Sequence, residues 1–321
     1  MNKKIFFFII FFLAVFVKRS YAVEKITTIG LSVIPPRLSF DAAPGKVSTK
    51  EIKIRNESSI ARNIMVSVKD FIVVDNEGTP RQIDSSQSEQ SNRWSASQWI
   101  QPSQSKITLK SGEMKNILIS ILPPENASVG GHYAMVLFTP KKDENATNEG
   151  SSISTNVGSL IYITIPGDIK ESAKISSFKP KSLFSEYGPI TLNTIVNNQS
   201  DVHITPKGTI TVKNIFGIKE STINLEASNI FPYTERKIDS IFEKKWLFGP
   251  FFANLTANYG TKNQLISANT VFWVIPWKII VLTLVVVAII VAITLLISRK
   301  NQPKINNSDN SSLNLKDKYK D

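Results

Sequence analysis

Residue types that carry out chemistry are sparse in this chain of 321 residues. It contains no cysteine, which excludes thiolate nucleophiles, disulfides and cysteine metal sites. Its two histidines, His132 and His203, stand singly among strand-like residues, without the His-Glu-x-x-His or His-x-His spacing that brings zinc ligands together. We interpret both as packed or strand-edge side chains, and we expect no metal site and no cofactor.

The acidic residues give no catalytic pattern. The pairs and turns at Asp143-Glu144 and at Asp75 to Gly78 lack the alternating oxygen ligands of a calcium loop and are typical of solvated turns. The chain has neither a Gly-x-Ser-x-Gly nucleophile elbow nor a phosphate-binding loop. A carboxylate pair such as Asp168 and Glu171 leaves a wall hydrolase open as an alternative. We predict a protein that is not an enzyme, with no catalytic residues.

Two tryptophans are the candidate ligand contacts. Trp94 and Trp99 come at the end of a Ser/Gln-rich insertion, residues 84 to 98. A flat indole ring matches the C–H face of a sugar, while neighbouring Asn and Gln side chains can bond its hydroxyls. Either ring can instead fill a hydrophobic core, and Trp99, beside Ile100, favours the core more strongly than Trp94 does. Sugar contact and core packing therefore both stay open.

Short strands are the elements that would position these residues. Apolar residues alternate with polar ones in several segments, with no long helical period between Val23 and Pro276. The clearest of these segments are Glu51 to Asn56, Ile64 to Val68, Lys115 to Ile121 and Pro189 to Val196. Turns rich in Gly, Pro and Asn separate them. The pattern predicts an all-β fold of two tandem immunoglobulin-like β-sandwich domains, residues 23–168 and 169–272.

Two internal echoes favour one architecture that is used twice. The segment GGHYA, starting at Gly130, is echoed by GPFFA, starting at Gly249, and each leads into an alternating strand. A strand that ends at Asn56 and its polar turn are echoed by a strand that ends at Asn197 and the turn Asn198 to Ser200. Because both echoes come in the same order, a duplication is the simplest interpretation.

The N-terminus has the layout of a signal peptide. Lys3 and Lys4 precede an apolar run from Ile5 to Val17, and Ser20-Tyr21-Ala22 supplies small residues at the positions that signal peptidase requires. We predict a signal peptide over residues 1–22, with an uncleaved N-terminal anchor as the alternative.

A second apolar segment predicts a transmembrane helix over residues 277–298. The nineteen residues from Ile279 to Ile297 carry no charge, which at about 1.5 Å per residue matches a bilayer core. Trp273 and Trp277 precede the segment, and Arg299-Lys300 follow it as a positive-inside flank. We therefore expect a single-pass cell-membrane protein with extracytoplasmic N-terminal domains and a basic, disordered cytoplasmic tail over residues 299–321. Because basic residues concentrate near both ends, the net charge of +12 does not indicate nucleic-acid binding.

The first domain resembles the N-terminal domain of the WxL-interacting cell-surface proteins of bacteria. The resemblance covers Ile29 to Gly167 and the overall layout of the chain. The segments that carry it are IGLSVIPP, FDAAPGKVSTKEIKIRN, ITLKSGEMKNILISI, PPENASVGGHYAMVLF and GSLIYITIPG. It implies a first domain that engages peptidoglycan and a second that contacts a partner protein or a host component.

The function predicted from these features is a membrane-anchored cell-envelope binding or scaffolding protein. Its expected partners are peptidoglycan or another cell-surface protein, together with the membrane that it crosses. The alternative is a receptor or an assembly component of a surface complex, acting through the short cytoplasmic tail.

Overall fold

The computed structural model of the chain describes residues 30–83, 93–141 and 156–300. The predicted signal peptide, most of the 84–98 insertion, the Asp143-Glu144 pair and the tail beyond residue 300 lie outside these residues. The described residues form two compact units. The first contains those up to Ser172 together with Asn198–Ile204 and Phe231–Thr234, and the second contains the others.

The first unit is a sandwich of two mainly antiparallel sheets. One sheet has four strands in the order β1-β3-β8-β6, and the other has six, in the order β2-β10-β9-β4-β5 with β7 paired to β4. The strands are β1 (Leu31–Ile34), β2 (Arg37–Asp41), β3 (Ser48–Asn56), β4 (Arg62–Val73), β5 (Pro80–Ile83), β6 (Ile100–Pro102), β7 (Lys106–Leu109), β8 (Met114–Ile121), β9 (Gly130–Pro140) and β10 (Val157–Ile165). A short 3₁₀ helix, Ser97–Trp99, precedes β6.

The main core of this unit lies between its two sheets. Ile52 and Ile117 come from the four-stranded sheet, and Phe138 and Ile161 from the six-stranded one; all four side chains are fully buried in one cluster. In β3 every second residue from Ile52 to Asn56 is buried and those between are exposed. The period-two pattern in the sequence thus corresponds to one face turned inward, and each fully buried apolar side chain contributes about 1.5–3 kcal/mol.

The second unit is a smaller sandwich. Its sheets have three strands in the order β11-β13-β16 and five in the order β12-β18-β17-β14-β15. The strands are β11 (Ala173–Pro180), β12 (Phe184–Ser185), β13 (Ile190–Asn198), β14 (Lys207–Asn214), β15 (Lys219–Asn224), β16 (Glu235–Phe242), β17 (Gly249–Tyr259) and β18 (Gln264–Val274). The ring of Phe242 from the small sheet packs 6.3 Å from those of Phe251 and Phe272 in the large sheet. The predicted all-β, immunoglobulin-like β-sandwich fold is confirmed.

The two internal echoes correspond to repeated local structures. Gly130 and Gly249 begin β9 and β17, and both have positive φ angles, +115° and +93°, which glycine adopts without steric cost. Asn56 and Asn198, both fully buried, each end a strand. Each accepts a hydrogen bond from the backbone N–H of the serine two residues on and donates one to the carbonyl of the residue four on. The predicted alignment of Asn56 with Asn197 is therefore wrong by one residue, since Asn198 makes the equivalent turn.

One long helix, α1 (Trp277–Lys300), follows β18 and is the only α-helix among the described residues. Its segment Trp277–Ser298 is long and apolar enough to cross a membrane, and none of it is buried against the sandwich. The predicted span, residues 277–298, coincides with this segment.

Candidate functional site

The outer face of the six-stranded sheet carries a second apolar cluster. In β9 both faces are buried, because Ala134 and Val136 point into the main core while Tyr133 and Met135 point to the other side. A strand that is buried on both faces has no polar face to turn to solvent. The six-stranded sheet is therefore covered on its outer side as well.

Aromatic rings make up most of this second cluster. Phe71 on β4, Tyr133 on β9, Tyr162 on β10 and Phe231 are all buried. The ring of Phe231 lies 4.9 Å from that of Tyr133, 5.3 Å from that of Tyr162 and 5.4 Å from that of Phe71, in edge-to-face arrangements. Each such pair contributes about 0.5–1.5 kcal/mol of stability in addition to the effect of burying the rings. The cluster is therefore a rigid support for the side chains that pack on it, Trp94 among them.

Tyr133 and His203 place polar atoms inside the cluster. The Tyr133 hydroxyl accepts a hydrogen bond of 2.8 Å from the His203 backbone N–H. Burial raises the pKa of Tyr133 well above its usual value, so the phenol stays protonated. Burial, and next the positive charge of Arg37, lower the pKa of His203 to about 4, so its imidazole is neutral at physiological pH.

The buried imidazole predicts a loss of stability on acidification. Between pH 6.5 and pH 4 the unfolded chain takes up a proton at His203 that the folded chain does not, so stability falls as the pH is lowered through this window. We expect His203 alone to lower the free energy of unfolding by about 2 kcal/mol from pH 7 to pH 5.

Urea unfolding at both pH values, followed by tryptophan fluorescence, measures this loss. The variant His203→Gln retains a polar side chain without the titration, and its own loss should be smaller by about 2 kcal/mol. Burial also lowers the pKa of His132, which therefore adds to the loss in both proteins and cancels in the comparison. An equal pH dependence in the two proteins would contradict the prediction.

Four side chains form a polar and aromatic surface beside this support. We call Arg93, Trp94, Asp201 and Tyr233 the Trp94–Tyr233 surface. The two rings are 6.1 Å apart and inclined by 40°. The Arg93 guanidinium lies 4.5 Å from the centre of the Trp94 ring and donates a 2.7 Å hydrogen bond to the Asp201 carboxylate. The Tyr233 hydroxyl donates a second bond, of 2.9 Å, to the same carboxylate oxygen.

Tyr233 is the exposed member of this surface. Its side chain is 56% exposed, and its φ angle is +56°, in the left-handed region that non-glycine residues seldom adopt. Such a conformation costs of the order of 1–3 kcal/mol and persists only where the surroundings hold it. The hydrogen bond to Asp201 raises the pKa of Tyr233, so its hydroxyl is held as a donor.

The structure separates the two predicted ligand contacts. Trp94 is half-buried, with its inner side against the aromatic cluster and its outer side within the Trp94–Tyr233 surface. Trp99 packs against the main core, 4.4 Å from the His132 ring. Only Trp94 is placed to contact a ligand together with another exposed aromatic ring.

The Asp75 turn and His132, which the sequence predicts to have structural roles, lie in a turn and in a packed interior. Asp75 accepts hydrogen bonds from the backbone N–H groups of Thr79 and Glu77, which lower the pKa of its carboxyl, that of Thr79 most strongly, as in a solvated turn. His132 is buried, and its Nε2 forms a 2.8 Å hydrogen bond with the carbonyl oxygen of Ser128. Within the residues that the structure describes, no three His, Asp or Glu side chains are grouped to hold a metal ion.

The known proteins that are similar to this chain are all solved structures. No family model matches the chain, and no curated protein matches it. Among solved structures it is similar to the class 5 fimbriae chaperone CfaA, at 16% identity and a TM-score of 0.39, over 76% of this chain and 99% of that one. It is also similar to the Pseudomonas aeruginosa CupB2 chaperone, at 8% identity and a TM-score of 0.37, over 75% of this chain and 100% of that one. The E. coli chaperone DraB is similar at 10% identity and a TM-score of 0.37, over 75% of this chain and 96% of that one.

These low identities and TM-scores carry no argument about function. The class that the fold defines is an immunoglobulin-like β-sandwich protein with a single apolar C-terminal helix. Membership of the WxL-interacting family stays a prediction from the sequence.

Proposed function

We propose that this chain is a membrane-anchored binding protein of a bacterial cell envelope that holds its β-sandwich units outside the membrane and binds peptidoglycan on the Trp94–Tyr233 surface. The observation that carries the proposal is the geometry of this surface, in which Trp94 and the exposed Tyr233 stand beside the Arg93–Asp201 ion pair. It acts by binding, without a chemical step.

The chemistry of this surface suits a glycan with acidic substituents. Sugar rings have C–H faces that pack on aromatic rings and hydroxyls that bond polar groups at the ring edge. Asp201 is an acceptor for such hydroxyls. Arg93, whose side chain is 52% exposed, has further N–H donors for the carboxylates that the peptide stems of peptidoglycan carry.

Rigidity supports the same role. Trp94 rests on buried aromatic rings, and the Asp201 carboxylate fixes Arg93 and Tyr233 by one hydrogen bond each. Side chains that are ordered before binding lose less conformational entropy when the ligand arrives. The surface is therefore pre-organised for a ligand, in keeping with the peptidoglycan binding that the family resemblance implies.

The membrane anchor is the second part of the proposal. The segment Trp277–Ser298 is long enough to span a bilayer, and Arg299-Lys300 follow it in the sequence. Since basic flanks stay on the cytoplasmic side, the sandwiches face outward and the tail faces the cytoplasm.

Binding to purified peptidoglycan tests the proposed function. The full chain in detergent micelles is mixed with sacculi, and the bound fraction is measured after sedimentation. The double variant Trp94→Ala/Tyr233→Ala should bind about 5- to 150-fold more weakly, since each of the two stacking rings contributes about 0.5–1.5 kcal/mol.

The matched control is Phe252→Ala, which removes an exposed aromatic ring from the second unit and should bind like the parent chain. Urea midpoints for all three proteins show whether the variants fold. A folded double variant that binds sacculi as tightly as the parent would exclude this surface as the glycan site.

A further inference from the structure

Several loops of the second unit meet at one end of its large sheet. Asn214, the last residue of β14, pairs with Phe251, near the start of β17. Gly249, the first residue of β17, pairs with Val274, the last residue of β18. The β14–β15 turn, the segment before β17 and the segment after β18 therefore project from the same end.

The segment around β12 joins this end. Phe184 in β12 pairs in parallel with Trp273, next to the end of β18. The Gly188 backbone N–H donates to the Lys245 carbonyl at 2.9 Å, so the segment that precedes β13 contacts the one that precedes β17. We call residues 181–189, 214–220, 243–249 and 274–278 the loop end.

The loop end exposes large apolar side chains. Phe216 is 83% exposed at the tip of the β14–β15 turn, and Trp246 and Phe248 are 68% and 72% exposed. The residue between them, Leu247, is buried, so these two rings are turned outward by the local alternation. Phe184, Tyr187 and Ile215 are also more than half exposed. Turns are usually polar, and an apolar group of this kind marks an interaction surface.

The opposite end of the same sheet is different. The β17–β18 turn there is Gly260-Thr261-Lys262-Asn263, with no large apolar side chain. The loop end also has five lysines against three glutamates. It therefore combines exposed aromatic rings with a surplus of positive charge, the composition that favours the interface of an anionic membrane.

The apolar helix leaves the sandwich at the loop end. Only Ile275 and Pro276 separate β18 from Trp277, the first residue of α1. Lys278, in the first turn of α1, forms a 2.9 Å ion pair with Glu186 in the segment around β12. Two residues therefore separate the last strand from α1, so a bilayer that contains α1 lies next to the loop end.

From this continuity we infer that the loop end is a lipid-docking surface, which inserts its aromatic rings among the headgroups of the bilayer that α1 crosses. The inference rests on the proposed membrane anchoring. Trp and Tyr rings favour the headgroup region because they are apolar with one polar edge, and lysines there meet lipid phosphates. Docking at this surface holds the second unit against the membrane instead of leaving it on a free tether.

Site-directed spin labelling tests the docking. Because the chain has no cysteine, Phe216→Cys gives a single labelling site in the full chain, reconstituted in vesicles of phosphatidylcholine and phosphatidylglycerol. The matched control is Leu265→Cys, a site 65% exposed at the opposite end of the large sheet. We expect the label at residue 216 to collide with a water-soluble nickel chelate severalfold less often than the label at residue 265, and with oxygen more often.

A third label, at Ile290→Cys within α1, separates the two proposals. If residue 290 lies in lipid while residue 216 is as accessible to nickel as residue 265, the docking is wrong and the anchoring stands. If residue 290 itself is accessible to nickel, the membrane anchoring fails. Protection of residue 216 that is accompanied by spin–spin broadening, and that is lost on dilution in lipid, would identify a second copy of the chain as the occupant and overturn the docking.

Discussion

Asn56→Ala is expected to lower the free energy of unfolding of the first unit by about 3–4 kcal/mol. The Asn56 amide nitrogen donates to the carbonyls of Ile60, Leu109 and Lys110 at 2.7, 3.1 and 3.1 Å. Its oxygen accepts from the backbone N–H and the hydroxyl of Ser58. Alanine removes all five hydrogen bonds at a fully buried position, and those to Leu109 and Ser58 are themselves buried.

Urea unfolding followed by tryptophan fluorescence measures this effect. The matched control is Asn116→Ala, since Asn116 is exposed and its amide donates a hydrogen bond only at the surface, to Glu51. We expect the control to stay within about 0.5 kcal/mol of the parent. A loss below 1 kcal/mol for Asn56→Ala would mean that this turn does not hold the two strands that it joins.

The main core could be predicted because one physical signal determines it. Ile52, Ile54 and Ile117 alternate with charged or polar residues, and all three are fully buried between the sheets. The period-two pattern fixes which face turns inward in each strand. It does not reveal a strand that is buried on both faces, so the outer cluster around Tyr133 cannot be predicted from it.

The candidate site could be predicted only in part. Trp94 can be singled out because it lies at the end of a Ser/Gln-rich insertion and its flat indole ring can stack on a sugar, although the sequence leaves core packing open as well. The contact between Arg93 and Asp201 beside it cannot be predicted, since the two residues lie 108 apart in the chain and a single sequence carries no signal for such a contact. The sequence around Tyr233 gives no sign of its left-handed backbone either, because the residue is not a glycine.

The β14–β15 turn of the loop end carries an apolar pattern that is visible in the sequence. The turn after Asn214 reads Ile215-Phe216-Gly217-Ile218, three large apolar residues around a glycine with a φ of +76°. A two-stranded hairpin buries little at its tip, so apolar residues there do not serve the fold of the unit itself. Apolar turn residues at the end of a domain that precedes an apolar helix are therefore a pattern that favours membrane contact.

Val286→Arg together with Val287→Arg is expected to abolish stable insertion of the chain in the membrane. Fifteen Ile, Val and Leu residues in Trp277–Ser298 favour insertion by about 7 kcal/mol in all, at about 0.3–0.6 kcal/mol each. Two arginines near the middle cost about 2.5–3.5 kcal/mol each, in addition to the two lost valines, and so cancel this gain.

Alkaline carbonate extraction of membranes measures this loss, because it releases proteins that are not integrally inserted. The parent chain and the control Val286→Leu/Val287→Leu, which retains the apolar character of the segment, should stay in the pellet, while the arginine variant moves to the supernatant. The aromatic rings of the loop end should still leave part of the arginine variant bound to membranes before extraction, since they reach the headgroups without α1. An arginine variant that resists carbonate as fully as the leucine control would show that this helix does not supply the insertion energy.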